Sequence, residues 1–184
     1  MVSTKLMTAD ELEALPGDDG VFYELVRGEL IRMAPTSFEH FQLTGLVSYY
    51  LNAFVIPRGL GVVDGEGGFV LQRHPDTVRA PNVAFVRAHR VPTGEASRHF
   101  AQIAPDLAVE VRSPSDSMSD LLAKADEYLA AGTSFVWIFD PQSRTVVVKS
   151  KDGMTITLGI DDELDGGDVL PGFRLPLRTI FGDG

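Results

Sequence analysis

Apolar positions recur along the chain with two different periods, and these divide it into strands and helices. Residues 22–26 and 29–33 are strand-like runs on either side of Arg27 and Gly28, which predicts a β-hairpin closed by a two-residue turn. Ahead of it, Thr8 and Glu11 have capping-box spacing and Pro16 with Gly17 supplies a stop, so a short peripheral helix is expected there. Residues 37–56 form the longest uninterrupted segment, ended by Pro57 and Gly59. Its Phe38, Phe41, Leu46, Val47, Tyr49, Tyr50, Leu51, Phe54 and Val55 cover most of a helical circumference. A helix apolar nearly all round is covered on more than one side. This one is expected either between the sheet and another layer or in the interface of a homodimer.

Further strand-like segments follow at 68–71, 82–86 and 107–111, separated by polar or Pro/Gly stretches. The period then changes. Residues 115–131 place Leu121, Leu122, Ala125, Tyr128 and Leu129 on one helical arc and end at Gly132, and strands at 135–139 and 145–148 come next, with 140–143 as the turn between them. A strand–helix–strand unit over 107–139 predicts a parallel crossover inside a mixed sheet. The remainder reads as one more short strand, an acidic Gly-rich loop at 161–168 and an irregular close. The expectation is a single α/β domain over residues 1–184, with 1–20 a peripheral helix and loop.

Composition narrows the chemistry. The 184 residues are 44% hydrophobic and 23% charged, ordinary for one globular domain. Lys and Arg number 16 against 26 Asp and Glu, a formal net charge of −10, which argues against a general polyanion binder. With no cysteine, disulfides, Cys-ligated zinc, iron–sulfur clusters and thiol nucleophiles are excluded, and a cytoplasmic location is the matching expectation. No stretch approaches the ~18 apolar residues of a membrane span, and residues 1–15 hold no apolar core of a signal peptide, so the chain is read as soluble and unprocessed.

Glu110 interrupts the apolar run of a central strand. A carboxylate buried there without a partner would cost several kcal/mol, so it is either salt-bridged to a core-facing Arg or Lys or part of a functional site. Strand parity groups it with Asp106, Ala108 and Arg112. Beyond the strand, Ser115, Asp116 and Ser117 are N-cap candidates for the helix that carries Lys124, at the edge of its apolar arc beside Leu121 and Tyr128. That lysine either packs its stem and leaves its ammonium in solvent, or reaches the carboxylate. Asp106, about 13 Å from Glu110 along one strand, is too far to share a metal and reads as a strand-start residue. Asn82 lies 28 positions before Glu110 on a separate strand, which allows their side chains to meet. His40, among apolar neighbours, is either a structural histidine or part of the site. The acidic run at 161–165 lacks EF-hand spacing and reads as a solvated loop. Arg73, Arg79, Arg87, Arg90 and Arg98 form the nearest thing to a basic cluster, either ordinary surface or a contact to a phosphate backbone.

Taken in order, these residues resemble the bacterial Uma2 family of restriction endonucleases. The resemblance is carried by 105–111, Ser113 to Asp116, Lys124, Tyr128, Gly132, 136–138 and Asp140-Pro141. Residues 23–31, Glu39-His40, 81–85 and 170–173 match in the same order. It implies a restriction-endonuclease-like α/β (α+β) fold, a mixed sheet flanked by helices, of the PD-(D/E)XK nuclease superfamily. It also implies Mg²⁺-dependent (or Mn²⁺-dependent) endonuclease cleavage of DNA phosphodiesters. On this resemblance Glu110 is the second acidic metal ligand, the Val111 carbonyl an additional ligand, and Lys124 the lysine, supplied from the helix because Arg112 occupies its usual place and stays protonated. The first acid is replaced: the family's Pro-Asp reads Pro81-Asn82, which removes a negative charge from the metal site. Glu24, Glu29 and His40 also match, and either glutamate could supplement Asn82. A homodimer is expected. The alternative reading is a non-catalytic descendant that keeps the fold as a binding or oligomeric scaffold.

Overall fold

Arg27 and Gly28 both adopt positive φ, 49° and 83°, as a type I′ turn requires. Around them the computed structural model, which describes residues 6–16 and 22–182, forms β1 (Tyr23–Val26) and β2 (Glu29–Arg32) as the expected antiparallel hairpin. Before it, α1 (Ala9–Glu13) begins with the capping box of Thr8 and Glu11; Gly17 lies outside the described residues. Ala9 and Leu12 of this helix are buried with Leu25, Val70 and Val78.

The hairpin belongs to a four-stranded antiparallel sheet, ordered β2-β1-β5-β4, with β4 (Phe69–Gln72) and β5 (Thr77–Arg79). A second sheet has six strands. These are β3 (Gly61–Asp64), β6 (Val83–Arg87), β7 (Leu107–Val111), β8 (Phe135–Asp140), β9 (Thr145–Ser150) and β10 (Thr155–Leu158), in the order β10-β9-β8-β7-β6-β3. Only β7 and β8 run parallel, joined by the predicted crossover through α3 (Met118–Ala130).

Parity along β7 and β8 assigns the two faces. Leu107, Val109, Val111, Trp137 and Phe139 join the large core beneath α2 (Phe38–Val55), which packs Leu43, Val47, Leu51 and Val55 against them. Fully burying a Val or Leu side chain stabilises by about 1.5–3 kcal/mol relative to exposure, so this row anchors α2 to the sheet. Ala108, Val136 and Ile138 face the other way, onto Leu121, Ala125 and Tyr128 of α3. Glu110 shares the Ala108 face and therefore points at α3.

The close of the chain is more regular than its composition predicts. Glu163, inside the expected acidic loop, opens β11 (Glu163–Asp165), which pairs with β12 (Arg174–Pro176) before α4 (Leu177–Phe181). Leu164 and Leu175 are opposite one another and buried in the large core, and that burial outweighs the polar character of the loop. No described helix is long and apolar enough to cross a membrane.

Candidate active site

The β6–β7 ladder is antiparallel with Val83 opposite Val109. Continued by one residue, that register sets Asn82 opposite Glu110, on the same face of the sheet. The Asn82 Oδ1 accepts a hydrogen bond from the Val111 amide at 2.7 Å, which fixes the asparagine beside the end of β7. His40 comes in from the first turn of α2, capped by Ser37. Its ring lines the same cleft as Asn82 and Val111, both of which favour its protonated form.

Across from them, Lys124 on α3 reaches back to the sheet. Its Nζ lies 2.9 Å from Glu110 Oε1 and 2.9 Å from Glu24 Oε1. Glu24 is on β1, where Leu25 turns into the small core and its neighbour turns toward α3. Tyr128, one turn after Lys124, donates its hydroxyl to the same Glu110 oxygen at 2.9 Å. Arg79 on β5 completes the group, pairing with Glu24 at 2.7 Å and with Glu127 at 2.7 Å, while the Ala80 amide donates to Glu24.

Burial and charge set the protonation states. Burial works against the Lys124 ammonium, but Glu110 and then Glu24 more than offset it, so its pKa rises. Burial also pushes the Glu110 carboxyl up; Lys124 opposes this, Glu24 adds to it, and the net shift is upward. For Glu24, Lys124 and Arg79 overcome burial and lower the pKa. Burial, followed by the two carboxylates, holds the Tyr128 hydroxyl well above its usual range, so it remains a donor. His40 is shifted down by burial against smaller opposing effects from Asn82, Asp116 and Val111, and is neutral at pH 7.

Glu24, His40, Arg79, Asn82, Glu110, Val111 and Lys124 line one open cleft of about 350 Å³. Other candidates lie elsewhere. Glu29 is exposed on β2 outside the cleft. Arg112 is engaged with Asp140 at 2.9 Å and with the Asp116 carbonyl, clamping the two strand ends. Asp106 accepts from Arg87 and Arg90. The sequence pattern singles out neither Arg79 as a partner of Glu24 nor the Tyr128 hydroxyl as a partner of Glu110. Tyr128 carried a usable signal, its i, i+4 spacing from Lys124, whereas Arg79 meets Glu24 only through the sheet. The five arginines at 73–98 do not form a free cationic patch. Arg73 pairs with Asp10 and Asp76, Arg79 with Glu24 and Glu127, Arg87 and Arg90 with Asp106, and Arg98 with Glu95. Arg32, at the cleft mouth, has no acidic partner among the described residues.

Magnesium takes hard oxygen ligands and often uses only one or two protein carboxylates, leaving the rest of its sphere to water and substrate phosphate. Glu110 spends Oε1 on Lys124 and Tyr128, and its Oε2 has no protein partner among the described residues. With the Val111 carbonyl and Asn82 beside it, the donors fit an ion completed by a substrate phosphate. They do not form a closed cage: no group of three His, Asp or Glu able to hold a metal occurs among the described residues.

A family model described as "Putative restriction endonuclease", Uma2, matches residues 9–178. Among solved structures, the chain is similar to the crystal structure of "a putative nuclease belonging to DUF820" from Anabaena variabilis. The TM-score is 0.83, at 22% identity over 95% of this chain and 97% of that one, a likeness of fold. No curated protein matches.

Proposed function

The chain belongs to the Uma2 family, and from that premise we propose that it cleaves DNA phosphodiester bonds in the cleft between β1, β6, β7 and α3. The cleavage is of the PD-(D/E)XK type and depends on Mg²⁺ or Mn²⁺. One observation carries the proposal: Glu24, Glu110 and Lys124, contributed by three separate elements, meet at 2.9 Å beside Asn82 in an open cleft.

Glu110 Oε2, the Val111 carbonyl and Asn82 would hold the ion, which supplies charge neutralisation at phosphate and a more acidic bound water. The chain's own residues do the rest. Lys124, held as an ammonium, opposes the burial that favours protonated Glu110 and stabilises negative charge developing on a phosphate next to it. Tyr128 fixes the Glu110 carboxylate in one orientation, and His40 lines the cleft beside Asn82 and Val111. Arg32 at the mouth is the cation available to a flanking phosphate. With the 73–98 arginines all paired, attraction to DNA is local to this cleft.

Asn82 also favours a second reading, a scaffold that keeps the fold without cleavage, because the amide leaves the ion one carboxylate short. The two separate on incubation of purified protein with plasmid and single-stranded DNA in Mg²⁺ or Mn²⁺. Slow cleavage that disappears in Glu110→Gln, with the variant's fold intact by circular dichroism, supports the nuclease. DNA left intact over hours, or equal cleavage by the variant, rejects it.

A further inference from the structure

The 18-residue α2 has two apolar sides, and only one of them is covered. Leu43, Val47, Leu51 and Val55 are buried against the six-stranded sheet, whereas Phe38, Phe41, Tyr49 and Ile56 are 78%, 67%, 63% and 68% exposed. At 3.6 residues per turn, positions 38, 41, 45, 49, 52 and 56 fall within a stripe about 80° wide. It contains no charged residue, and such a patch marks an interaction site.

We propose that this stripe is the interface of a homodimer, with two copies of α2 packed antiparallel about a two-fold axis at the level of residue 47. The pattern is self-complementary about that level. Phe38 and Ile56 each lie nine residues from it, and Gly45 and Tyr49 two. Antiparallel pairing therefore sets Phe38 against Ile56 of the partner subunit, and Tyr49 against Gly45 of the partner subunit. A Cβ built on Gly45 meets nothing within 4 Å, so the helix surface is open there and forms a shallow seat for a tyrosine ring. A residue without a side chain at the crossing also lets the two backbones approach closely.

The area is sufficient. Large apolar side chains bury 150–250 Å² each, so the four at their exposures offer on the order of 500 Å² per copy. Two copies reach about 1,000 Å², the lower bound of a specific interface. His40 stands about 200° around α2 from Phe38, so the stripe faces away from the cleft and pairing leaves both clefts open. The dimer thus stands or falls independently of the nuclease reading.

Sedimentation equilibrium of the full chain at micromolar concentrations should give twice the 20.0 kDa chain mass. Gly45→Arg has room in the isolated fold and gains helix propensity. It should keep the wild-type circular dichroism spectrum and sediment as a monomer, as should Tyr49→Glu. Because the chain has no cysteine, single substitutions report the geometry. Gly45→Cys should crosslink copy to copy with a short bismaleimide. Ile56→Cys should not, since its two copies stand ~27 Å apart along the helix axes at ~1.5 Å per residue. A monomer at every concentration, a Gly45→Arg variant that remains dimeric, or equal crosslinking at both positions would overturn the proposal.

Discussion

Replacing Lys124 with methionine keeps a stem able to pack beside Leu121 and Tyr128 and removes the ammonium between two buried carboxylates. The consequence falls unevenly. Glu24 retains Arg79 at 2.7 Å and the Ala80 amide at 3.0 Å, whereas Glu110 retains only the Tyr128 hydroxyl. Removing one partner of a buried ion pair costs about 3–5 kcal/mol because the other charge is stranded. Glu110 can escape part of this by holding a proton, since burial and Glu24 already raise its pKa. The sign then follows. A carboxyl whose folded pKa lies above its unfolded value near 4.3 contributes no penalty at low pH, and stability is lost as pH rises toward the folded value, by up to ~1.4 kcal/mol per unit. Lys124→Met should therefore be mildly destabilised at pH 5 and severely at pH 8, with a steeper slope than wild type, measured by urea unfolding at both pH values. Adding Glu110→Gln should recover about 1–3 kcal/mol at pH 8 through their coupling. A loss below about 0.5 kcal/mol, within the range of ordinary surface changes, or a loss equal at both pH values, would refute the reasoning.

Other consequences are as direct. Tyr128→Phe removes a buried donor to Glu110 and should cost about 1.5–3 kcal/mol in chemical denaturation, more at pH 8 than at pH 5. His40, shifted down by burial, binds fewer protons folded than unfolded, so wild-type stability should fall as pH drops below about 6.5. His40→Gln should flatten that part of a melting-temperature profile. Arg32→Ala should leave stability unchanged, weaken binding of single-stranded DNA, and reduce the slope of log K against log salt by about 0.7.

Much of the site was legible because β-strand parity and helical spacing are local properties. Glu110 in an apolar strand demanded a partner, Lys124 lay on the helix arc that faces the sheet, and Asn82 and Glu110 occupy facing positions of adjacent strands. Glu24 and Glu29 were not distinguishable in sequence, since both flank one hairpin turn. Only sheet pairing sends Glu24 toward α3 and leaves Glu29 exposed. The pairing of the hairpin with β4 was not legible because it runs through β5, which is three residues long and polar at two of them. The arginines at 73–98 show the limit most plainly. Arg73 and Arg98 have acids three residues away, but Arg79 pairs with Glu24 and Glu127, and Arg87 and Arg90 share Asp106, so local spacing could not reveal that all five are engaged. For α2, apolar residues all round the helix implied a cover on more than one side, but not that one side would remain open in the single chain.

The central claim is that the cleft at Glu110 is a phosphodiester-cleaving site one carboxylate short. Asn82→Asp restores that carboxylate opposite Glu110, and Mg²⁺-dependent cleavage of DNA by this variant measures the claim most directly. Cleavage at least about tenfold faster than wild type, equivalent to ~1.4 kcal/mol of transition-state stabilisation, and abolished when Glu110→Gln is added, is the predicted result. A variant no faster than wild type, or one whose gain survives Glu110→Gln, would contradict it.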